Sequence, residues 1–300
     1  MLWLGVVAIA SSVIFFIAYN WDDLGRFAKF GLVEVLIAFS IFVYWRTSNN
    51  ATTTSQLNPN NRHLISKAAL LMASLFLGVL LAFYGQTYQT GADTWQLFFT
   101  WAVLIIPWVF IARFPALWIF WITLLNLSAV LYFQTFSSIL STLFSSEIEL
   151  MWIMALLNLS AFIIWEILKK RWEWLSENWA TRVLVLAGSI PLSLLAIDFI
   201  LGFNPSVLAP LLWLVGMIFV YIIYRKRSVD LFMLTMGCLS GISVILSVVS
   251  KLLFDVVGSE FSSFLLLAIL VVILGGLSAK WLKSVHKEIN EARTLGTNNE

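Results

Sequence analysis

The sequence predicts an all-α polytopic membrane bundle of about ten spans, with both termini on the cytoplasmic side. Three observations predict it. Hydrophobic residues make up 61% of the 300 and charged residues only 11%, against about 25% charge in soluble domains. A soluble fold of this size would lack the polar side chains to cover its surface. Ten apolar runs of about 17–21 residues follow one another along the chain, near the ~20 residues that cross a ~30 Å hydrocarbon core. Fifteen of the eighteen Lys and Arg fall on one side when the runs are threaded back and forth, leaving Arg26, Lys29 and Lys251 on the other. Basic residues mark the cytoplasmic side.

The elements justify themselves in order. Span one, residues 2–19, opens on Met1-Leu2-Trp3-Leu4 without the basic stretch of a cleavable leader, so it is expected to be retained. Asn20-Trp21-Asp22-Asp23 turns the chain outside, and span two follows at 27–45. Asn and Thr crowd residues 47–62, which reads as a flexible loop. Span three is 64–84, and a hairpin without Lys or Arg, Gly85 to Thr94, leads to span four at 96–112. Pro107 falls inside that span and is expected to kink it. Spans five (115–133) and eight (208–224) carry Pro115 and Pro210 in their first turns, where a missing N–H costs nothing. Span six is 150–168, closed by Lys169-Lys170-Arg171, and Pro191 interrupts span seven at 181–201. Arg225-Lys226-Arg227 ends span eight, and spans nine and ten occupy 231–249 and 261–277 around a mixed stretch, 250–260. Residues 1–284 read as a single membrane domain and 285–300 as a short cytoplasmic tail. Trp3, Trp45, Trp118, Trp165, Trp172, Trp174, Trp179 and Trp281 gather near the inner boundary, with Trp21 and Trp95 near the outer one, the pattern of an aromatic belt.

Composition removes several chemistries. The single cysteine, Cys238, allows neither an internal disulfide nor a cysteine metal site. The two histidines, His63 and His286, lie in polar stretches, so intramembrane haem ligation, a zinc protease and a Ser-His-Asp hydrolase lose a required residue. No phosphate-binding Gly-rich loop occurs. A net charge of +2 leaves no nucleic-acid footprint. No cofactor and no metal are expected.

Polar groups inside spans are the default site candidates. Glu34 lies seven residues into span two, roughly 10 Å from its outer end at ~1.5 Å per residue, too deep to snorkel. Lys29 is about 140° away around the helix at ~100° per residue, a poor partner on the same helix. Tyr84, Gln86, Tyr88 and Asp93 of the outer hairpin, with Asn20, Trp21 and Asp22 of the first one and Asp198 near the end of span seven, outline an outward vestibule. Its amides and acids suit a cation or polyhydroxy solute. Asp93 and Asp22 equally suit helix N-caps. Leu124-Leu125-Asn126-Leu127-Ser128-Ala129 recurs as Leu156-Leu157-Asn158-Leu159-Ser160-Ala161. Asn126 and Asn158 thus sit near mid-span, as an interhelical amide pair or as a midplane site. The small-residue face of span nine, Gly237 to Ser250, reads as a surface for close helix packing or dimerisation, and Glu166 with Lys169 and Lys170 as a surface ion pair.

The stretches Ala18-Tyr19-Asn20-Trp21-Asp22, Arg26-Phe27-Ala28-Lys29, Tyr84 to Asp93, and Leu97-Phe98 to Pro107-Trp108 resemble the bacterial membrane-protein family called domain of unknown function 2157. The resemblance covers roughly the first half of the chain. It implies a multi-pass protein of a bacterial inner membrane and no established activity. Three functions stay open, each compatible with a homo-oligomer: binding or translocating a small polar or cationic solute, with Glu34 as a proton relay; docking an envelope protein through the outer hairpins; and an intramembrane enzyme on a lipid-linked substrate using Asp22, Glu34 and Asp93, which no His or Cys supports. A non-enzymatic role is expected.

Overall fold

The computed structural model describes residues 2–20, 25–49, 59–140, 146–227, 229–257 and 260–297. Ten α-helices account for almost all of them: α1 Leu2–Tyr19, α2 Arg26–Asn49, α3 Pro59–Tyr88, α4 Thr94–Ala112, α5 Pro115–Leu140, α6 Ser146–Lys169, α7 Asn178–Leu201, α8 Leu208–Tyr221, α9 Leu231–Val257 and α10 Glu260–Thr297. A 3₁₀ turn at Glu173–Leu175 and a π-helical segment at Ile222–Arg227 complete the described secondary structure. Each expected span holds one helix. Among the described residues nine helices are long and apolar enough to cross a membrane, with Ala8–Tyr19 as a shorter apolar stretch of α1.

The helices overrun the spans where polar residues continue the winding, because backbone hydrogen bonding does not stop at the membrane boundary. Helix α3 takes in Arg62 and His63 at one end and Gly85-Gln86-Thr87-Tyr88 at the other, so the outer hairpin shrinks to Gln89–Asp93. Gln89 (φ 44°) and Gly91 (φ 65°) make that turn in the left-handed region, the conformation glycine adopts at least cost. Residues 285–297 continue α10 as helix. Of the loop read at 47–62, both ends are helical, and 50–58 lie outside the described residues.

The helices group into two compact units, residues 1–139 with 172–176, and residues 140–171 with 177–300. In the first unit α3 is the hub, packed by α1, α2 and α4. Its buried face alternates large and small residues: Leu70, Ala73, Ser74, Phe76 and Val79. Gly78 is what lets α4 approach, since a methyl built there would overlap the Trp101 indole. Trp101 Nε1 donates to the Ser74 carbonyl at 2.8 Å, and Trp121 Nε1 on α5 donates to the Ala102 carbonyl at 3.0 Å. Two tryptophans thereby tie α3, α4 and α5 together by backbone carbonyls. Trp118 packs edge-on against Phe110 and Trp121 and meets Trp174. In the second unit Trp165 is buried.

In the second unit α7 is the hub, packed by α6, α8 and α9, and α10 lies along α9. Gly188 receives the Leu159 side chain of α6. Gly237 and Gly241 face Val220 and Met217, so the small-residue face of α9 does pack a neighbour, namely α8.

Candidate functional site

The expected site residues separate into parts. In the first unit the Asn20 side chain donates to the Phe16 carbonyl at 2.8 Å and closes α1. Trp21 and Asp22 lie outside the described residues. Lys29 is buried on α2 and Glu34 is exposed on it. Tyr84, Gln86 and Tyr88 are exposed on the last turns of α3. The Tyr84 and Tyr88 rings lie 5.0 Å apart, and Tyr88 meets Phe30 of α2 at 6.1 Å. Glu34 is one turn along α2 from Phe30, so α2 and α3 bring this aromatic trio and one carboxylate to neighbouring turns. Asp93 occupies the N-cap position of α4 with extended backbone, yet its side chain makes no capping bond.

Asp198 belongs to the second unit. Its backbone carbonyl collects the N–H groups of Gly202, Phe203 and Asn204, and Lys251 Nζ donates to the Ile200 carbonyl, so this region ends α7. Asn126 and Asn158 fall in different units. Each donates to its own helix, to the Ile122 and Met154 carbonyls, both at 2.8 Å.

An enclosed space lies in the second unit, with no sequence signal ahead of it. A cavity of about 380 Å³ runs between α6, α7, α8 and α9, within the ~300–1,000 Å³ range of ligand pockets. It exists because α6 leans on α7, and α8 on both α7 and α9, while α6 and α8 meet at the Phe162–Phe219 ring contact. Gly216 and Gly237 contribute no side chain to fill the space. Leu156, Ile163, Val215 and Phe219 line it and are all more than a third exposed, so the cavity opens between α6 and α8.

Its polar atoms are spent on one another. Trp213 Nε1 donates to Ser240 Oγ at 2.8 Å, Ser240 and Ser193 share a 2.7 Å hydrogen bond, and Ser193 Oγ donates to the Ser189 carbonyl at 2.7 Å. Ser193 has a single hydrogen, already committed, so Ser240 is the donor of the pair. The chain runs one way from indole to hydroxyl to hydroxyl to carbonyl. Ser160 Oγ donates to the Leu157 carbonyl at 3.0 Å. Ser160, Ser193 and Ser240 keep no hydrogen for a guest, and the remaining lining hydroxyl, Ser189 Oγ, is held loosely to the Leu186 carbonyl at 3.5 Å.

Beyond this cavity, at the Lys/Arg-rich end of the unit, is a polar network that sequence reading missed. Arg182 forks onto Asp230 with three hydrogen bonds of 3.0–3.2 Å. Asp230 Oδ1 also accepts the Phe232 N–H and so caps α9. Buried Tyr224, within the π-helical segment, donates its hydroxyl to Glu166 at 3.1 Å. Glu166 is therefore more than half of a surface pair with Lys169, which it meets at only 3.8 Å. Arg225 pairs with Glu288 of α10 at 2.7 Å. Two neighbours, α6 and α10, thus hold the π-helical end of α8. An acid just ahead of an apolar run and a lone Arg early in span seven were the available signals.

No curated protein matches the chain. No solved structure matches it either. Residues 1–118, from α1 into the first turn of α5, match the family model described as a predicted membrane protein (DUF2157), the family that the Asn20-Trp21-Asp22 and Tyr88 to Asp93 stretches resemble, and this first part of a multi-pass helical chain is similar to it.

Proposed function

We propose that the chain is a non-enzymatic membrane protein whose second unit holds a single long hydrocarbon chain, acyl or isoprenoid, between α6 and α8. The observation that carries this reading is the saturated cavity wall. A polar guest entering there would give up its water and find the hydroxyls committed elsewhere, a cost of about 1–3 kcal/mol for each unpaired group. A methylene chain has no hydrogen bonds to give up, and it exchanges contacts with bilayer hydrocarbon for contacts with an equally apolar wall at little cost. The mouth between α6 and α8 supports entry from the bilayer side. The test fills the cavity at Gly216, where an added Cβ meets nothing within 4 Å. Gly216→Leu is expected to lower retention of a radiolabelled C16 fatty acid through gel filtration about tenfold, while Gly275→Leu on α10 leaves it unchanged. Equal retention by both variants and the parent overturns the reading.

A second reading, a site for a small cationic solute, rests on the exposed Tyr84 and Tyr88 rings and the half-buried Phe30 ring gathered one turn from Glu34 in the first unit. Aromatic faces and a carboxylate favour a cation. Glu34→Gln is then expected to abolish uptake of that solute by cells or vesicles without lowering expression. Unchanged uptake across cationic and polyhydroxy solutes removes this reading and leaves the first untouched. Placement in a bacterial inner membrane with both termini cytoplasmic belongs to the same proposal, supported by the distribution of Lys and Arg.

A further inference from the structure

Helix α10 spans 38 residues, about 57 Å at ~1.5 Å per residue, roughly twice a ~30 Å hydrocarbon core. Its apolar part, through Ala279, is long enough to cross, so Lys280 stands at the boundary and the remainder projects beyond it. Lys280, Lys283 and Lys287 recur at i, i+3 and i+7, one face of the helix. With Ser284, His286, Asn290 and Glu291 they line an open hollow, its one acid at the far end beside Lys287. The same face runs back into the membrane through Gly276, Ile273, Ile269 and Leu265, all exposed. A Cβ on Gly276 would meet nothing within 4 Å, which leaves a notch one turn below Lys280. Arg225–Glu288 and buried Val285 occupy the opposite side.

We propose that this face of α10 binds an anionic phospholipid, its phosphate between Lys280, Lys283 and Ser284 and one acyl chain along Gly276, Ile269 and Leu265. The inference is independent of the cavity in α6–α9. Depth selects the ligands. A headgroup layer is about 5–8 Å thick on each side. Lys283 stands about 4.5 Å above Lys280 and Lys287 about 10 Å above it, so the first two reach the phosphate layer and the third passes it. Among the described residues no acid pairs with Lys280 or Lys283, whereas Lys287 meets Glu291 at 3.6 Å. The unbroken apolar stripe below the lysines favours a lipid over an acidic protein, which would leave that stripe unused.

Native mass spectrometry of the detergent-purified full chain, titrated with phosphatidylglycerol or phosphatidylcholine, tests this directly. The parent is expected to retain phosphatidylglycerol in preference to phosphatidylcholine. Each lysine near an anionic surface contributes about fivefold, so the Lys280→Gln/Lys283→Gln double variant should lose about thirtyfold in phosphatidylglycerol affinity, and Lys287→Gln little. No headgroup preference in the parent overturns the proposal without reference to any variant. So does an unaffected double variant, a loss confined to Lys287→Gln, or displacement of phosphatidylglycerol by a polyglutamate peptide, which would assign the lysine row to an acidic protein.

Discussion

Gly78→Ala is expected to destabilise the protein by about 2–3 kcal/mol, although the same change in an open helix stabilises. Alanine is ordinarily the better helix residue by about 1 kcal/mol. At Gly78 the added methyl overlaps the Trp101 indole, and overpacking a tight contact costs about 1–3 kcal/mol. The indole also carries the hydrogen bond to the Ser74 carbonyl. Displacing it strands a buried donor, for about 1–3 kcal/mol more in a dry interior. Gly275 is the control, because nothing lies within 4 Å of its built Cβ, and Gly275→Ala should be neutral or mildly stabilising. Unfolding in mixed detergent micelles measures both. Placing Gly78→Ala in a Trp101→Leu background should recover most of the loss, a coupling that a double-mutant cycle reads as one interaction. Additive effects would mean that α3 and α4 do not meet at this pair.

Asp230→Ala carries the second large effect, about 2–3 kcal/mol. It removes a forked partner of Arg182 and the N-cap of α9 at once. Breaking a fully buried pair costs about 3–5 kcal/mol. The Asp230 side chain is 12% exposed but that of Arg182 is 39% exposed, so solvent relieves part of the stranded charge. Loss of a cap adds about 1 kcal/mol. Asp230→Asn keeps an oxygen for the Phe232 N–H and should fall between parent and alanine. Arg182→Lys should cost nearly as much as the loss of charge-assisted geometry implies, since an ammonium cannot fork. If Asp230→Asn and Asp230→Ala unfold at the same midpoint, the cap contributes nothing.

The bundle was readable from the chain because hydrocarbon permits so little. Each backbone polar group must bond within its own helix, so every apolar run of sufficient length became a helix where expected, from α1 at Leu2 to α10 at Glu260. Helix ends were less readable. Gly85-Gln86-Thr87-Tyr88 has the polarity of a loop, whereas helical hydrogen bonds ignore side-chain polarity and end at the left-handed Gln89. Sites were harder still. Glu34 was found because a carboxylate in an apolar run is conspicuous, and Arg182–Asp230 was missed because 48 residues separate the partners. The α6–α9 cavity had no sequence signal at all. Emptiness depends on how α6 and α8 lean on α7, and Gly216 and Gly237 are as common at packed contacts as at open ones. The repeated Leu-Leu-Asn-Leu-Ser-Ala segment shows the same limit: similar residues at similar depth, with each Asn amide turned onto its own helix.

The central claim is that a hydrocarbon chain occupies the space between α6 and α8. Photolysis of the purified protein in nanodiscs containing a phospholipid with a diazirine in its acyl chain, followed by peptide mapping, reads that occupancy residue by residue. Adducts are expected on cavity-lining positions of the second unit, at Leu159, Met217, Met233 and Met236, and are expected to disappear in Gly216→Leu while labelling of exposed α2 and α10 positions persists. Adducts confined to α2, α10 and other outward faces, indifferent to Gly216→Leu, would contradict the claim.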